Sequence, residues 1–182
     1  MGEKNSKLMP EDLSELTEHT AFTEKEIKDW YSGFKRDYPQ GYLTVSTFKK
    51  IYKKIFPRGN ASMFAENVFR VFDHNNDNRI DFREFIIAMS ISMRGTLEEK
   101  ARWMFQLYDT NSDGFISKDE MLLIINAIYQ MSNKKCDTST AGRRVDQIYK
   151  DMDTDGDNQL SFEEFLVLAR SDPAVLAMLE TE

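Results

Sequence analysis

Apolar residues along this chain recur at intervals of three and four, and short polar runs break these stripes at regular distances. Ile27, Trp30, Tyr31 and Phe34 make one stripe; Phe48, Ile51, Tyr52, Ile55 and Phe56 make the next. Phe64, Val68, Phe69 and Phe72 precede a polar run that Phe82, Phe85, Ile86 and Met89 follow. The alternation then repeats, with Leu97, Ala101, Met104, Phe105 and Tyr108 before Met121, Ile124, Ile125 and Ile128. A last pair sets Val145, Ile148, Tyr149 and Met152 before Phe162, Phe165, Leu166 and Ala169. Such spacing predicts amphipathic helices arranged as four helix–loop–helix units. Thr23 with Glu26 and Thr96 with Glu99 match the capping-box pattern at helix starts. Arg94-Gly95-Thr96 is the expected hinge between the second and third units, and SNKKCDTSTAGR, from Ser132, is expected to be a loop.

The polar runs are themselves a repeat. DHNNDNRIDFRE begins at Asp73, DTNSDGFISKDE at Asp109 and DTDGDNQLSFEE at Asp153. A hard cation such as calcium takes about six to eight oxygens at about 2.3–2.6 Å. A twelve-residue loop supplies them from side chains at places 1, 3, 5 and 9, the carbonyl at place 7 and a bidentate Glu at place 12. The first acidic loop offers Asp73, Asn75, Asp77, the Arg79 carbonyl, Asp81 and Glu84. The next offers Asp109, Asn111, Asp113, the Phe115 carbonyl, Ser117 and Glu120. The last offers Asp153, Asp155, Asp157, the Gln159 carbonyl, Ser161 and Glu164. Place 6 needs a left-handed backbone, which Gly114 adopts freely and Asn78 and Asn158 adopt at modest cost. Ile80, Ile116 and Leu160 at place 8 are expected to pair neighbouring loops. Ser117/Glu120 and Ser161/Glu164 also read as plain helix caps, but three such loops in phase on one repeat favour metal. Asp81 at place 9 gives the Asp73 loop an extra charge, so it is the expected magnesium-competent loop.

A fourth run, RDYPQGYLTVST, occupies residues 36–47, where the repeat calls for another loop. Gly41 and Leu43 keep the turn and the pairing residue, while Arg36, Tyr38, Gln40 and Thr47 stand where ligands would be. This loop is expected to pair with its neighbour and to hold no metal.

Composition narrows the class. Of 182 residues, 41% are hydrophobic and 30% charged, the balance of a globular chain. No run approaches the roughly 18 apolar residues of a membrane span. One cysteine, Cys136, excludes an internal disulfide and fits a reducing, cytosolic setting. The net charge of -7 is uneven, because residues 1–94 balance at +1 and residues 95–182 at -8. FKKIYKKIFPR, from Phe48, carries five cations and no acid; it reads as a solvated helix face or as a contact for anionic lipid or an acidic partner. The opening MGEKNSK fits the N-myristoylation pattern at Gly2. One acyl chain anchors only marginally, so basic residues would have to contribute.

Together MGEKNSKL, FTEKEIKDWYSGF, FKKIYKKIFPRG, FDHNNDNRIDFREFI, RGTLEEKARWMFQLYD and the last loop followed by SDPAV resemble the neuronal calcium sensor family, an EF-hand group. The likeness is to its frequenin and neurocalcin/hippocalcin/visinin-like branches, over nearly the whole chain. It implies an all-α fold of four EF-hand units paired into two lobes (1–94 and 95–182, the second with a C-terminal helix), with short β-bridges between paired loops. It also implies a cytosolic, peripherally membrane-bound calcium sensor, acylated at Gly2, that regulates a kinase, cyclase, receptor or channel. In such proteins the ligandless unit serves a target groove. Two departures stand out: Tyr38-Pro39 replaces the family's Cys-Pro, and the segment after the third unit is short.

Trp30, Phe34, Phe48, Ile51, Tyr52, Phe56, Phe85, Met89 and Trp103 are the candidate groove residues, expected to receive an amphipathic helix of a target. Each read singly is a core residue; as a set they are too aromatic for one small lobe to bury. Trp103 is expected to face the groove sooner than Met104. No nucleophile–base pair, phosphate-cradling glycine loop or zinc cluster is evident, so no enzyme and no nucleic-acid binder is read here. The alternatives are a calcium buffer and a constitutive regulatory subunit of an enzyme.

Overall fold

The predicted stripes fold as helices, and one helix that no long stripe announced precedes them. The computed structural model describes residues 8–131 and 138–171. In chain order these are α1 (Pro10–His19), α2 (Glu24–Asp37), β1 (Tyr42–Leu43), α3 (Val45–Ile55), α4 (Ser62–Phe72), β2 (Ile80–Asp81), α5 (Phe82–Arg94), α6 (Leu97–Tyr108), β3 (Ile116–Ser117), α7 (Lys118–Met131), α8 (Thr138–Met152), β4 (Gln159–Leu160) and α9 (Phe162–Ser171). Gly2, Cys136 and the segment after Ser171 lie outside the described residues. Among those described, no helix is long and apolar enough to cross a membrane.

Local chemistry sets the helix starts. Thr23 and Thr96 close capping boxes with Glu26 and Glu99, and Asp81 closes a further one with Glu84, which the sequence reading had assigned only to metal. In α1, Pro10 sits in the first turn with Glu11 and Asp12, residues that suit a helix N-terminus. Only Leu13 and Leu16 of α1 are buried, too few to mark a periodic stripe. These two leucines seat it in the core, and Glu15 adds a surface tie by accepting from both terminal guanidinium nitrogens of Arg83 at 2.6 and 2.5 Å. One expectation fails. The polar stretch from Ser132 is not all loop, because α8 already begins at Thr138. Ala141 gives the reason: its methyl is fully buried, and core contact overrides a polar local sequence.

The loops pair in two antiparallel bridges, with Leu43 opposite Ile80 and Ile116 opposite Leu160. All four bridging residues are at most 1% exposed. Burying each contributes about 1.5–3 kcal/mol, so the bridges hold as much by packing as by hydrogen bonding. The Tyr149 hydroxyl donates to the Ile116 carbonyl at 2.5 Å beneath the second bridge. Burial, with the Glu120, Asp153 and Asp157 carboxylates nearby, pushes that phenol far above its ordinary range.

Two core clusters result. One gathers Ile27, Phe34, Leu43, Phe48, Val68, Ile80 and Ile86; the other gathers Met104, Ile116, Ile124, Val145, Leu160 and Phe165. They meet at a seam. Leu107 of α6 packs in the first cluster, and Trp103 packs against both. Arg70 on α4 donates to the Gln106 and Leu107 carbonyls at 2.8 and 3.2 Å. The Asn60 amide donates to the Gln130 carbonyl at 2.9 Å. A Cβ on the adjoining Gly59 would lie 1.9 Å from the Met131 carbonyl oxygen, so no side chain fits there.

Arg94, before the expected hinge, is tied to the first unit. It donates to the Ala21 carbonyl at 2.9 Å and to both Glu26 oxygens at 3.1 and 2.5 Å, and it lies over the Phe22 ring. The Arg94 hydrogen bonds, joined by those of Thr23, hold the Glu26 carboxyl down at about 2. A depressed carboxyl contributes stability above its ordinary value of 4.5 that is lost as pH falls toward about 2. Arg94→Ala should therefore lower the melting temperature by a constant amount at neutral pH, with the gap to wild type closing between about pH 4.5 and 2. Melts across that range check it; a gap that does not narrow would place the role of Arg94 in packing.

Candidate metal loops and an adjoining groove

Each acidic loop is drawn inward by its own carboxylates. Asp109 accepts from the Asp113 amide at 3.1 Å and the Gly114 amide at 3.0 Å, and Asp73 does the same for Asp77 and Asn78 at 3.0 and 2.9 Å. Asp153 accepts from Gly156 and Asn158 at 2.8 and 3.0 Å. The expected left-handed turn appears at every place 6: Gly114 has φ 88, Asn78 φ 63 and Asn158 φ 64. A second left-handed residue appears at place 4, as Asn76, Ser112 and Gly156. The sequence reading missed it, although Asn, Ser and Gly at one loop position were a visible signal.

At place 12 the glutamates differ. In the last two loops Glu120 and Glu164 accept from a threonine amide and hydroxyl at place 2, and from a serine amide and hydroxyl at place 9. Burial alone would raise both carboxyls, but these donors outweigh it; Glu120 is lowered and Glu164 is held at about 2. Glu84 has only the Asn75 and Asp81 amides, each at 3.2 Å, because His74 and Asp81 replace the threonine and serine. Burial therefore prevails there, helped by the Asp81 and Asp73 charges, and Glu84 is raised. In the last loop, oxygens of Asp153, Asp155 and Glu164 lie within 4.8 Å of one another, the one such group of three among the described residues. The other two loops carry Asn75 and Asn111 at place 3, so their close oxygens are not all carboxylate. Asp73 and Asp109 are buried, as is Glu120, while Asp77, Asp81, Asp113, Asp155 and Asp157 stand at the surface. Arg79 and Phe115 are exposed, Gln159 is half-buried, and Ser117 and Ser161 are half-buried at the bridge ends. Oxygen-rich, anionic and preshaped, the three loops fit a hard divalent cation.

The loop at 36–47 turns at Gly41 with φ 86 and pairs through Leu43. Arg36 stands at place 1, where the other loops have Asp. Lys35, just before the loop, donates to the Pro39 carbonyl at 3.2 Å, and Arg79 of the neighbouring loop lies 4.4 Å from the Tyr42 ring.

Trp30, Phe34, Phe48, Ile51, Tyr52, Phe56, Phe85, Met89 and Trp103 all line one cleft of about 940 Å³. They are not equivalent. Phe34 and Phe48 are buried core residues at its floor, at 4% and 6% exposure, while Trp30, Tyr52, Phe85 and Trp103 are half-buried. Ring contacts join Trp30 to Phe85 at 5.8 Å and Phe48 to Phe72 at 5.4 Å. Burial pushes the Tyr52 phenol up to about 12. Met104 lines the cleft as Trp103 does, but it is buried at 5%. Sequence reasoning missed the far wall, where Leu107, Tyr108, Ile128 and Met131 continue the cleft beyond the first two units. The Trp103 Nε1 is buried there without a hydrogen-bond partner among the described residues.

The hydroxyl at place 2 has a direct test. In calcium-free protein, Thr154→Val should move the Glu164 carboxyl up from about 2 toward the ordinary carboxylate range. A side-chain carbon titration by NMR reads it, and an unmoved carboxyl would assign the effect to the backbone amides.

The comparisons with known proteins agree with this geometry. A family model described as an EF-hand domain pair matches residues 98–170, and another of that description matches residues 39–91. Neuronal calcium sensor 1 of Lymnaea stagnalis is 48% identical over 98% of this chain and 96% of its own length. Neuronal calcium sensor 1 of Aplysia californica is 46% identical over the same shares. With helix–loop–helix pairs, bridged acidic loops and relatives matched end to end, this chain belongs to the neuronal calcium sensor family of EF-hand proteins.

Proposed function

We propose that this protein is a non-catalytic sensor that binds three calcium ions and engages an amphipathic helix of a target protein in the cleft. The ligands are the six groups named for each acidic loop, with the loop at 36–47 empty of metal and the Asp73 loop also competent for magnesium. The lobes divide between residues 1–94 and 95–182, and Gly2 carries a myristoyl group that acts with the basic residues of α3 at a membrane surface. The observation that carries the reading is the apolar cleft itself. A calcium buffer has no use for a wall built of Trp30, Tyr52, Phe85 and Trp103 beside its loops. Calcium-dependent retention on phenyl resin is the expected result, and a buffer would pass through with or without the ion.

Calorimetry should count three calcium ions per chain. Glu84→Gln, Glu120→Gln and Glu164→Gln should each remove about one, because each loses a charged bidentate ligand. A native count of two or four would overturn the assignment.

Trp30 and Phe34 separate groove from core. Trp30→Ala should weaken binding of a model amphipathic peptide at least roughly tenfold, with three calcium ions still taken up. Phe34→Ala should instead lower stability by about 3–5 kcal/mol and loosen calcium in the Asp73 loop, its partner in the same core. Melts and calcium titrations of both variants distinguish the two roles; a Trp30 variant that behaves like the Phe34 variant returns Trp30 to the core.

A further inference from the structure

The helix α3 has two working faces. Phe48, Ile51, Tyr52 and Ile55 line the apolar cleft, whereas Lys49, Lys50 and Lys53 line a separate pocket of about 550 Å³. Its other wall is the turn after α3 and the start of α4, from Gly59 to Ser62. Among the described residues, no acid lines this pocket. Lys49 pairs with Glu66 beside it, while Lys50 and Lys53 have no ion-pair partner among the described residues. Like charges at such spacing on one helix repel, a cost that a bound anion would remove. The far wall is held rigid by the seam, through the Asn60 amide on the Gln130 carbonyl and Gly59 against Met131. Ala61 has no side chain to cap α4, and Asn60 Oδ1 accepts from the Ser62 amide at 3.1 Å, so the positive end of α4, partly capped, stands beside the lysines. Ser46, Asn60 and Ser62 add hydroxyl and amide groups to the lining.

We propose that this pocket binds a phosphorylated polyol, such as an inositol phosphate, free or as a lipid headgroup. Lysines and a helix N-terminus recognise phosphate, and the hydroxyl and amide groups suit a polyol ring. A volume of about 550 Å³ falls within the range of small-molecule sites and far exceeds a lone phosphate. The site deepens the membrane reading above and depends on neither acylation nor calcium.

Adjacent lysines supply a matched test, because Lys53 lines the pocket and Lys54 does not. In the full chain, inositol trisphosphate should shift the amides from Gly59 to Met63 in NMR spectra and bind saturably by calorimetry. Lys53→Gln should weaken it by roughly tenfold, the loss of one charge-assisted contact. Lys54→Gln, with the same change in net charge, should cost less than about twofold. Equal weakening by the two variants, or no saturable binding, would overturn the proposal. Vesicles doped with a phosphatidylinositol bisphosphate separate the sources. The same asymmetry on vesicles assigns the site to a lipid headgroup, and asymmetry confined to the soluble anion assigns it to a free one. Calcium counts taken on each variant keep the outcome independent of the sensor reading.

Discussion

A glutamate at the end of each acidic loop reaches back across the loop, and its two oxygens accept hydrogen bonds from both ends of the turn. Glu120 takes the Thr110 and Asn111 amides on one oxygen and the Ser117 amide on the other. The same side chain lies in the first turn of the helix that leaves the loop. A cation seated in the loop would compete for those oxygens, through a side chain anchored in the first turn of that helix. The three loops enter that competition differently. Glu164 and Glu120 are held by hydroxyl donors as well as amides, while Glu84 has amides alone and feels two neighbouring acids. One substitution at place 2, His74 for a threonine, and one at place 9, Asp81 for a serine, account for the contrast.

Much of this arrangement was legible in the residues because its causes are local. Loop ligands, left-handed turns and capping boxes follow from neighbours a few places apart, and the place-8 residues paired because a period near forty brought two loops together. What escaped had causes distant in sequence. The helix α1 offers only Leu13 and Leu16 to the core, too few for a stripe, and its surface tie to Arg83 spans 68 residues. The start of α8 is decided by one buried alanine in a polar stretch. Gly59 carries no side-chain signal at all, since its role is to let the α7 backbone approach. The nine groove candidates were readable as an aromatic excess, but the far wall on α6 and α7 depends on how the two cores abut.

That abutment gives α3 its position. One side of the helix faces the apolar cleft and the other faces the lysine pocket, and the turn that follows it is clamped to the end of α7. Met131 belongs both to the clamp and to the wall of the cleft. The two pockets thus share one helix and adjoin the same backbone clamp.

The ligandless loop has a further consequence. Gly41, Leu43 and the Lys35 contact hold its turn through protein groups, and its sequence offers no ligand set for a cation to organise. On the proposed ligand sets, that half contains a single responding loop, while the second half contains two joined through Ile116 and Leu160. A lone site fills along a simple hyperbola; positively coupled sites fill along a steeper curve. One chain would thus hold two dose–response shapes, a graded one where the groove is most aromatic and a threshold one across the seam.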